Sequence, residues 1–383
     1  MKTNKYKLDI QDNGIINWNK VPFCKIPDQI FEKYALKKGD ILFARIGATA
    51  GKTTFIDDSP KGVFASYLIR FLSKEVDPKF IYYFTQSRLY WKQALQLREG
   101  QLKKGLNANT LAKFKIKYPA SIKEQKAIAE ILSTVDEAIQ KADEAIKKTE
   151  RIKQGMLQKL LTEGIGHKEF KETKIGRIPK EWEYVRFNKY VNVLGGFAFK
   201  SSDYAPSGIP LIRIANVSFG KILFDDLAYL PKTYLGKFTD YRVNKNDILL
   251  ALTRPIISGG LKATIINAEH TPALLNQRVA KINTLDEKQL QQNYLKHFIS
   301  SPYFFKQMLQ AQTSTNQPNV STKQIENFRI IIPKPDEQKI ISGILDDMHE
   351  KLKLSIKQKK YFERIKHGLM EDLLTGRKRV RLN

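Results

Sequence analysis

The sequence predicts an α+β protein made of two copies of one unit. Each copy is a mixed β-sheet domain with helices, followed by one long helix. The two long helices are expected to pair antiparallel as a coiled coil, about the pseudo-twofold axis of an internal repeat. Three observations carry this prediction. Glu124-Gln125-Lys126, Ile131-Leu132, Glu150-Arg151-Ile152-Lys153 and Leu160-Leu161-Thr162 return 213 residues later as Glu337-Gln338-Lys339, Ile344-Leu345, Glu363-Arg364-Ile365-Lys366 and Leu373-Leu374-Thr375. Upstream, Gly39-Asp40-Ile41-Leu42-Phe43-Ala44-Arg45 is echoed by Asn246-Asp247-Ile248-Leu249-Leu250-Ala251-Leu252, offset by 207. After each Glu-Gln-Lys, apolar residues step by four and three. A solenoid repeat spans only about 20–50 residues, so a period this long marks duplication of a whole domain with its helix.

The elements follow in order. Ile41–Ile46 and Tyr67–Leu72 are branched and aromatic runs bounded by Gly, Asp and Ser, the pattern of strands. A helix is expected over Pro78–Leu97, with Phe80, Tyr83, Phe84 and Tyr90 on one side. Ser121-Ile122-Lys123-Glu124 has the form of a capping box opening the first long helix. Its seam is Ile128, Leu132, Val135, Ile139, Ala142, Ile146, Thr149, Met156 and Leu160, missing a beat at Lys153. The second seam is Ile341, Leu345, Met348, Leu352, Phe362, Leu369 and Leu373, weaker at Ser355 and Lys359. At 1.5 Å per residue each helix would span about 57 Å. The same pattern also fits two helices each packed on its own domain; the narrow seams and the lack of an interior proline favour mutual packing. Gly164–Lys174 reads as a polar connector, and Pro333-Lys334-Pro335 with Asp336 as N-cap starts the second helix. The expected division is a first domain over 1–121, a central helix over 122–166, a second domain over 167–334, and a distal helix with a basic tail over 335–383.

Composition narrows the function. With 66 Lys+Arg against 39 Asp+Glu the formal charge is +27. Such an imbalance opposes compaction by self-repulsion and points to a polyanionic partner. Nucleic acid leads over an anionic membrane surface, because no apolar run approaches the roughly 20 residues of a membrane span. One cysteine, Cys24, excludes a disulfide framework and a thiolate zinc cluster. The polar start at Met1 lacks a signal-peptide pattern, so a cytoplasmic location is expected.

Motifs of chemistry are few. Gly47-Ala48-Thr49-Ala50-Gly51-Lys52-Thr53 resembles a phosphate-binding loop but has three residues between its glycines where that loop needs four. Its counterpart, Ser258-Gly259-Gly260-Leu261-Lys262, keeps only a glycine-rich turn and a lysine. Both are read as turns between strands presenting the lysine outward. His167, His270, His297, His349 and His367 lack metal-ligand spacing, and Asp57-Asp58, Asp225-Asp226 and Asp346-Asp347 read as solvated carboxylates. No nucleophile elbow or methyl-donor fingerprint is found. The chain is expected to bind rather than catalyse.

The assembled residues resemble the specificity subunit of type I restriction–modification enzymes. The likeness lies in Gly176-x-Ile178-Pro179-x-x-Trp182, in Gly195-Gly196-Phe197-Ala198-Phe199-Lys200-Ser201 and in Ile209–Val217. It continues in Asn276-Gln277-Arg278-Val279-Ala280, Glu337-Gln338-Lys339 and Gly368–Gly376. The resemblance implies two target-recognition domains, each reading half of a split duplex DNA sequence, with two long helices fixing their separation. It implies a subunit with no catalysis and no cofactor of its own. Two DNA methyltransferase subunits would carry S-adenosylmethionine, and restriction nuclease subunits would use ATP. Aligned on Asp40 and Asp247, Met1 falls opposite about Gly208, so the first domain is read as shortened, without a counterpart of Trp182–Ser207.

Residues at matching places are the candidate DNA contacts, because Lys and Arg hold phosphates while amide and guanidinium groups read base edges. They are Arg45, Lys52, Lys103, Lys104, Arg213, Asn216, Arg254, Lys262, Gln277 and Arg278. Each could equally be a solvated or sheet-stabilising residue, and Gln277 could bond the backbone of its own domain. One alternative function is a coiled-coil interaction protein whose basic domains bind RNA, lipid or an acidic protein without sequence choice. Another is a nucleotide hydrolase built on Gly47–Thr53.

Overall fold

A computed structural model describes residues 10, 14–16, 18, 21–23, 25–58, 60–98, 105–312 and 318–381. Cys24, Lys103 and Lys104 lie outside the described residues. The chain forms two compact units, residues 1–145 with 355–383, and residues 146–354.

In the first unit, Ile41–Ala44 is the centre of a three-stranded antiparallel sheet, flanked by Thr53–Phe55 and Leu68–Phe71. The strand ends at Ala44, two residues short of the expected Ile46, and the Arg45 carbonyl leaves the sheet to accept from Leu106 N–H. All four of its side chains are buried, since alternate residues face two cores. Ile41 and Phe43 meet Phe80, Tyr83, Phe84 and Tyr90. Leu42 and Ala44 meet Ile10, Ile16, Leu36 and Ile56. The single helix expected over Pro78–Leu97 is two, Pro78–Gln86 and Arg88–Arg98. Ser87 breaks it by taking extended backbone, and its hydroxyl accepts from Tyr90 N–H to start the second piece.

In the second unit, Ile248–Ala251 repeats this role between Ala263–Ile265 and Val279–Thr284, with Val191–Gly195 as a fourth antiparallel strand. A second four-stranded sheet pairs Ala273–Leu275 parallel with Ile209–Ile212, which makes it mixed. The main core gathers Trp182, Phe187, Phe298 and Phe304 with Leu250 and Ile282. The polar connector is partly ordered as strand: Phe170–Thr173 pairs with Gly176–Pro179.

The duplication holds bond by bond. Ile56 N–H donates to Asp40 O at 2.9 Å, and Ile266 N–H to Asp247 O at 2.9 Å. The buried carboxylates of Asp40 and Asp247 accept from Lys37 and Asn244 N–H at 2.9 and 2.7 Å. Gly39 and Asn246, with φ of 91° and 71°, take the left-handed turn before each strand. Asn is among the few side chains that tolerate it. The Glu-Gln-Lys echo also has a physical cause. Gln125 accepts from Asp77 N–H and donates to Pro119 O, while Gln338 accepts from Gln291 N–H and donates to Pro333 O. Each buried amide ties a helix start to its own domain.

The long helices are Ile122–Leu160 and Pro335–Leu374, 39 and 40 residues, or about 60 Å each. Within the first unit, Asp136 pairs with Lys366 at 2.6 Å and Asp143 with Lys359 at 2.7 Å. Within the second, Lys153 Nζ lies 3.1 Å from His349 Nδ1. Partner numbers fall on one helix as they rise on the other, which is antiparallel pairing. The seam is not uniform. Ile128 and Leu132 join Leu373, with half-buried Leu369 against them, in the core of the first unit. Leu160, Ile341 and Leu345, with Met156 against them, join the core of the second. Between these anchors Val135, Ile139, Ile146, Met348, Leu352 and Phe362 are only half-buried. Packing on the domains describes the helix ends, and mutual pairing describes the middle, where lysines occupy the missing beats.

Three local expectations change. Asp336 lies inside the first turn of a helix that already starts at Pro335. Glu124 is turned to the C-terminal segment, accepting from Arg379 Nε and Nη2 at 2.6 and 2.5 Å and from Val380 N–H at 3.4 Å. Its repeat partner Glu337 likewise accepts from His167 Nε2, Ile165 N–H and Trp182 Nε1. Asp346, read as solvated, accepts from Asn293, Lys296 and His297.

Candidate nucleic-acid interface

The site builds from where the central strands end. In the second unit Leu252 N–H donates to Arg278 O at 2.9 Å, and Leu252 O accepts from Val320 N–H at 2.9 Å. Arg254 N–H donates to Pro318 O at 2.7 Å. On the other side Gln277 N–H donates to Phe197 O, Phe197 N–H to Leu275 O, and Gly196 N–H to Val279 O, at 2.9–3.0 Å. Loops near residues 196, 253, 277 and 319 are thereby laced together at one end of the sheet. A Cβ at Gly196 would land on the Asn276 carbonyl, so only glycine lets these loops touch.

This lacing brings Arg254, Gln277 and Arg278 together, with all three side chains exposed. Arg254 has φ of 45°, a strained setting for a non-glycine residue that tends to mark functional positions. Phe197 stands beside them in a cluster with Phe199, Phe238 and Tyr241, ring centroids 4.7–5.4 Å from its own.

The first unit repeats two of these bonds. Arg45 N–H donates to Tyr67 O, and Arg45 O accepts from Leu106 N–H, both at 2.9 Å. The exposed Arg45 guanidinium reaches Ser66 O at 3.4 Å. It borders an open hollow of about 420 Å³ with Ile69, Asn107, Ala108 and Asn109. Lys52 is half-buried and engaged with neighbouring groups.

Three expected DNA contacts serve the fold instead. Asn216 is buried; its Oδ1 accepts from Arg213 N–H at 2.9 Å and its Nδ2 donates to Leu223 O and Asp226 O. Arg213 donates through Nη2 to the Asp226 carbonyl at 2.7 Å and carboxylate at 2.9 Å. Lys262 is turned inward onto Ile214 O at 2.8 Å, and its burial pushes the ammonium below its ordinary value. A polar side chain closing a turn carries the same letter as one facing a ligand, so spacing alone does not separate them.

The turn expected at Ser258–Lys262 lies beside Arg254 and is part of a hairpin. Ile256–Ile257 and Gly260–Leu261 form a hairpin around Ser258-Gly259, with Ile257 exposed at its tip and Phe219 exposed against its flank. The signal was present as a Ser-Gly pair between apolar dipeptides. Among the described residues no cluster of His, Cys, Asp or Glu suits a metal ion, and no helix is long and apolar enough to cross a membrane.

Comparison with known proteins gives consistent likenesses. The family model for the type I restriction modification DNA specificity domain matches residues 2–150 and 179–363. The MjaVIII type I restriction enzyme specificity subunit of Methanocaldococcus jannaschii is 32% identical over 370 residues, covering 94% of this chain and 83% of the relative. The EcoAI specificity subunit of Escherichia coli is 35% identical over 193 residues, 49% of this chain and 32% of the relative. Among solved structures, the type I restriction–modification S subunit from M. genitalium superposes with a TM-score of 0.55 at 15% identity, over 90% of this chain and 84% of that one. A chain from a structural study of complex assembly and conformational transition of the type I R-M system gives 0.54 at 15% identity, over 89% and 82%. At such identities the likeness is one of fold.

Proposed function

The chain belongs to the family of type I restriction–modification DNA specificity subunits, and from that premise we propose that it grips duplex DNA at two half-sites, one per unit. It supplies base choice and no chemistry, and binds no cofactor. Two DNA methyltransferase subunits dock on it and carry S-adenosylmethionine; restriction nuclease subunits, where present, use ATP. The paired helices set the gap between half-sites.

The observation that supports this reading best is the repeated scaffold. Each unit anchors the residue after its central strand by the same pair of backbone bonds, with an exposed arginine, Arg45 or Arg254, at or near it. A duplicated rigid mount with cationic tips suits a duplex contacted twice, and the +27 charge supplies phosphate affinity.

The test is competition on the full chain with a duplex selected from a random pool. Specific recognition predicts that unrelated duplex fails to displace the selected one at equal concentration. Displacement by random duplex would leave a sequence-blind polyanion binder. ATP turnover by the chain alone would overturn the non-catalytic reading.

A further inference from the structure

We propose that the hairpin Ile256–Leu261 is the element by which the second unit chooses bases, so that the two half-sites differ. The inference rests on the two-half-site reading and deepens it.

In both units the central strand lies between two antiparallel neighbours, but its connection to the first of them differs. Residues 45–52 join Ile41–Ala44 to Thr53–Phe55 in the first unit, where Gly47–Thr49 makes one tight turn. Residues 252–262 join the corresponding strands of the second unit, and the three additional residues build the hairpin. Two copies with identical tips would favour identical half-sites. This three-residue insertion is a departure between the units at the end where the loops converge.

The hairpin is built to hold a shape. Ile256 pairs with Leu261 and Ile257 with Gly260. Ser258 and Gly259 have φ of 49° and 77°, the mirror-image turn whose twist matches a two-residue hairpin. Its base is fixed twice, by Arg254 N–H on Pro318 O and by Lys262 N–H on Pro255 O, both at 2.7 Å. Inward Lys262 adds a third tie through Ile214 O. On its flank the Phe219 ring lies so close to Gly260 that a Cβ there would stand 2.7 Å from it. Yet among the described residues its outer surface is open: Ile257 is 42% and Phe219 49% exposed, beside exposed Ser258 and Arg254. A rigid ribbon with apolar and cationic groups left facing water is an interaction surface.

Duplex DNA fits that chemistry. A two-stranded ribbon enters the major groove, where a guanidinium can hold guanine O6 and N7 and an apolar side chain can meet the thymine methyl. Arg254, at the hairpin base, takes the first part; Ile257, at the tip, the second; the Ser258 hydroxyl can serve either base edge.

The experiment is selection of bound duplexes from a randomised pool by the full-length chain, wild type beside Arg254→Asn and Ile257→Ser. Asn tolerates the left-handed backbone at 254, and Ile257 is an exposed tip residue, so both variants should melt with the wild type. The expected result is two half-sites for the wild type. In the variants, preference falls roughly 10- to 100-fold at one or two positions of one half-site, the same half-site in both, and the other persists. Wild-type half-sites unchanged in both variants would overturn the hairpin assignment while leaving two-site reading intact. A wild type that enriches no sequence would overturn the recognition reading, and this proposal with it.

Discussion

Asp346 shows what a single residue does here. Burial alone would push its carboxyl up, but hydrogen bonds from His297, Lys296 and Asn293 outweigh that and hold it well below the usual carboxylate range. Asp346→Asn leaves Lys296 without a countercharge and His297 without a full acceptor. The expected loss is about 1–2 kcal/mol, discounted for partial exposure and read as a lower denaturant midpoint. The nearby histidines add a pH dependence of opposite origin. Burial pushes His297 and His349 below their ordinary values, with Lys153, Lys296 and, at His349, Lys353 adding repulsion, against Asp346 and Glu350. Between the lowered folded value and the unfolded value near about 6.5, the unfolded chain holds protons that the folded chain refuses. Stability is therefore expected to fall as pH drops from about 6.5, and His349→Gln should flatten part of that fall in thermal melts. Gly196→Ala should cost at least about 1–3 kcal/mol and weaken DNA binding, because its Cβ lands on the Asn276 carbonyl behind Gln277 and Arg278.

Among the elements, the helix pair is the most instructive. Its length was legible from heptad stepping, and its antiparallel sense from the pseudo-twofold repeat, which turns one copy's helix against the other's. The beats missing at Lys153 and Lys359 looked like weakness. They are where Lys153 meets His349 and Lys359 meets Asp143, so polar pairs select the register that the thin apolar middle specifies poorly. For Asp136 and Lys366, a double-mutant cycle to alanine should give a coupling of roughly 0.5–1.5 kcal/mol, since Tyr83 also donates to Asp136 at 3.0 Å. A coupling near zero would make the pair a surface accident. The loops were less legible. Arg254, Gln277 and Arg278, chosen because they follow repeated or family-like strands, come together with exposed side chains. Asn216 and Lys262 misled because a turn's need for donors cannot be read without knowing which carbonyls are buried. The break at Ser87 was hidden for a similar reason, since both helical pieces carry the same apolar face.

For the whole molecule, the excess of 27 positive charges and the duplicated scaffold act together. If some six to ten phosphates are neutralised, affinity should fall about 10³- to 10⁵-fold between about 50 and 200 mM salt. A fall of less than tenfold would deny the backbone contacts. The central claim is geometric: two readers whose gap is set by paired helices. It is tested most directly by deleting a matched heptad from each helix, residues 143–149 and 353–359. The deletion keeps the 136–366 and 153–349 partners in phase and removes about 10 Å of rise. Methylome sequencing of a host carrying this variant with its methyltransferase should show the same half-sites with a gap shorter by roughly three base pairs, at about 3.4 Å each. The same half-sites at an unaltered gap would contradict the account.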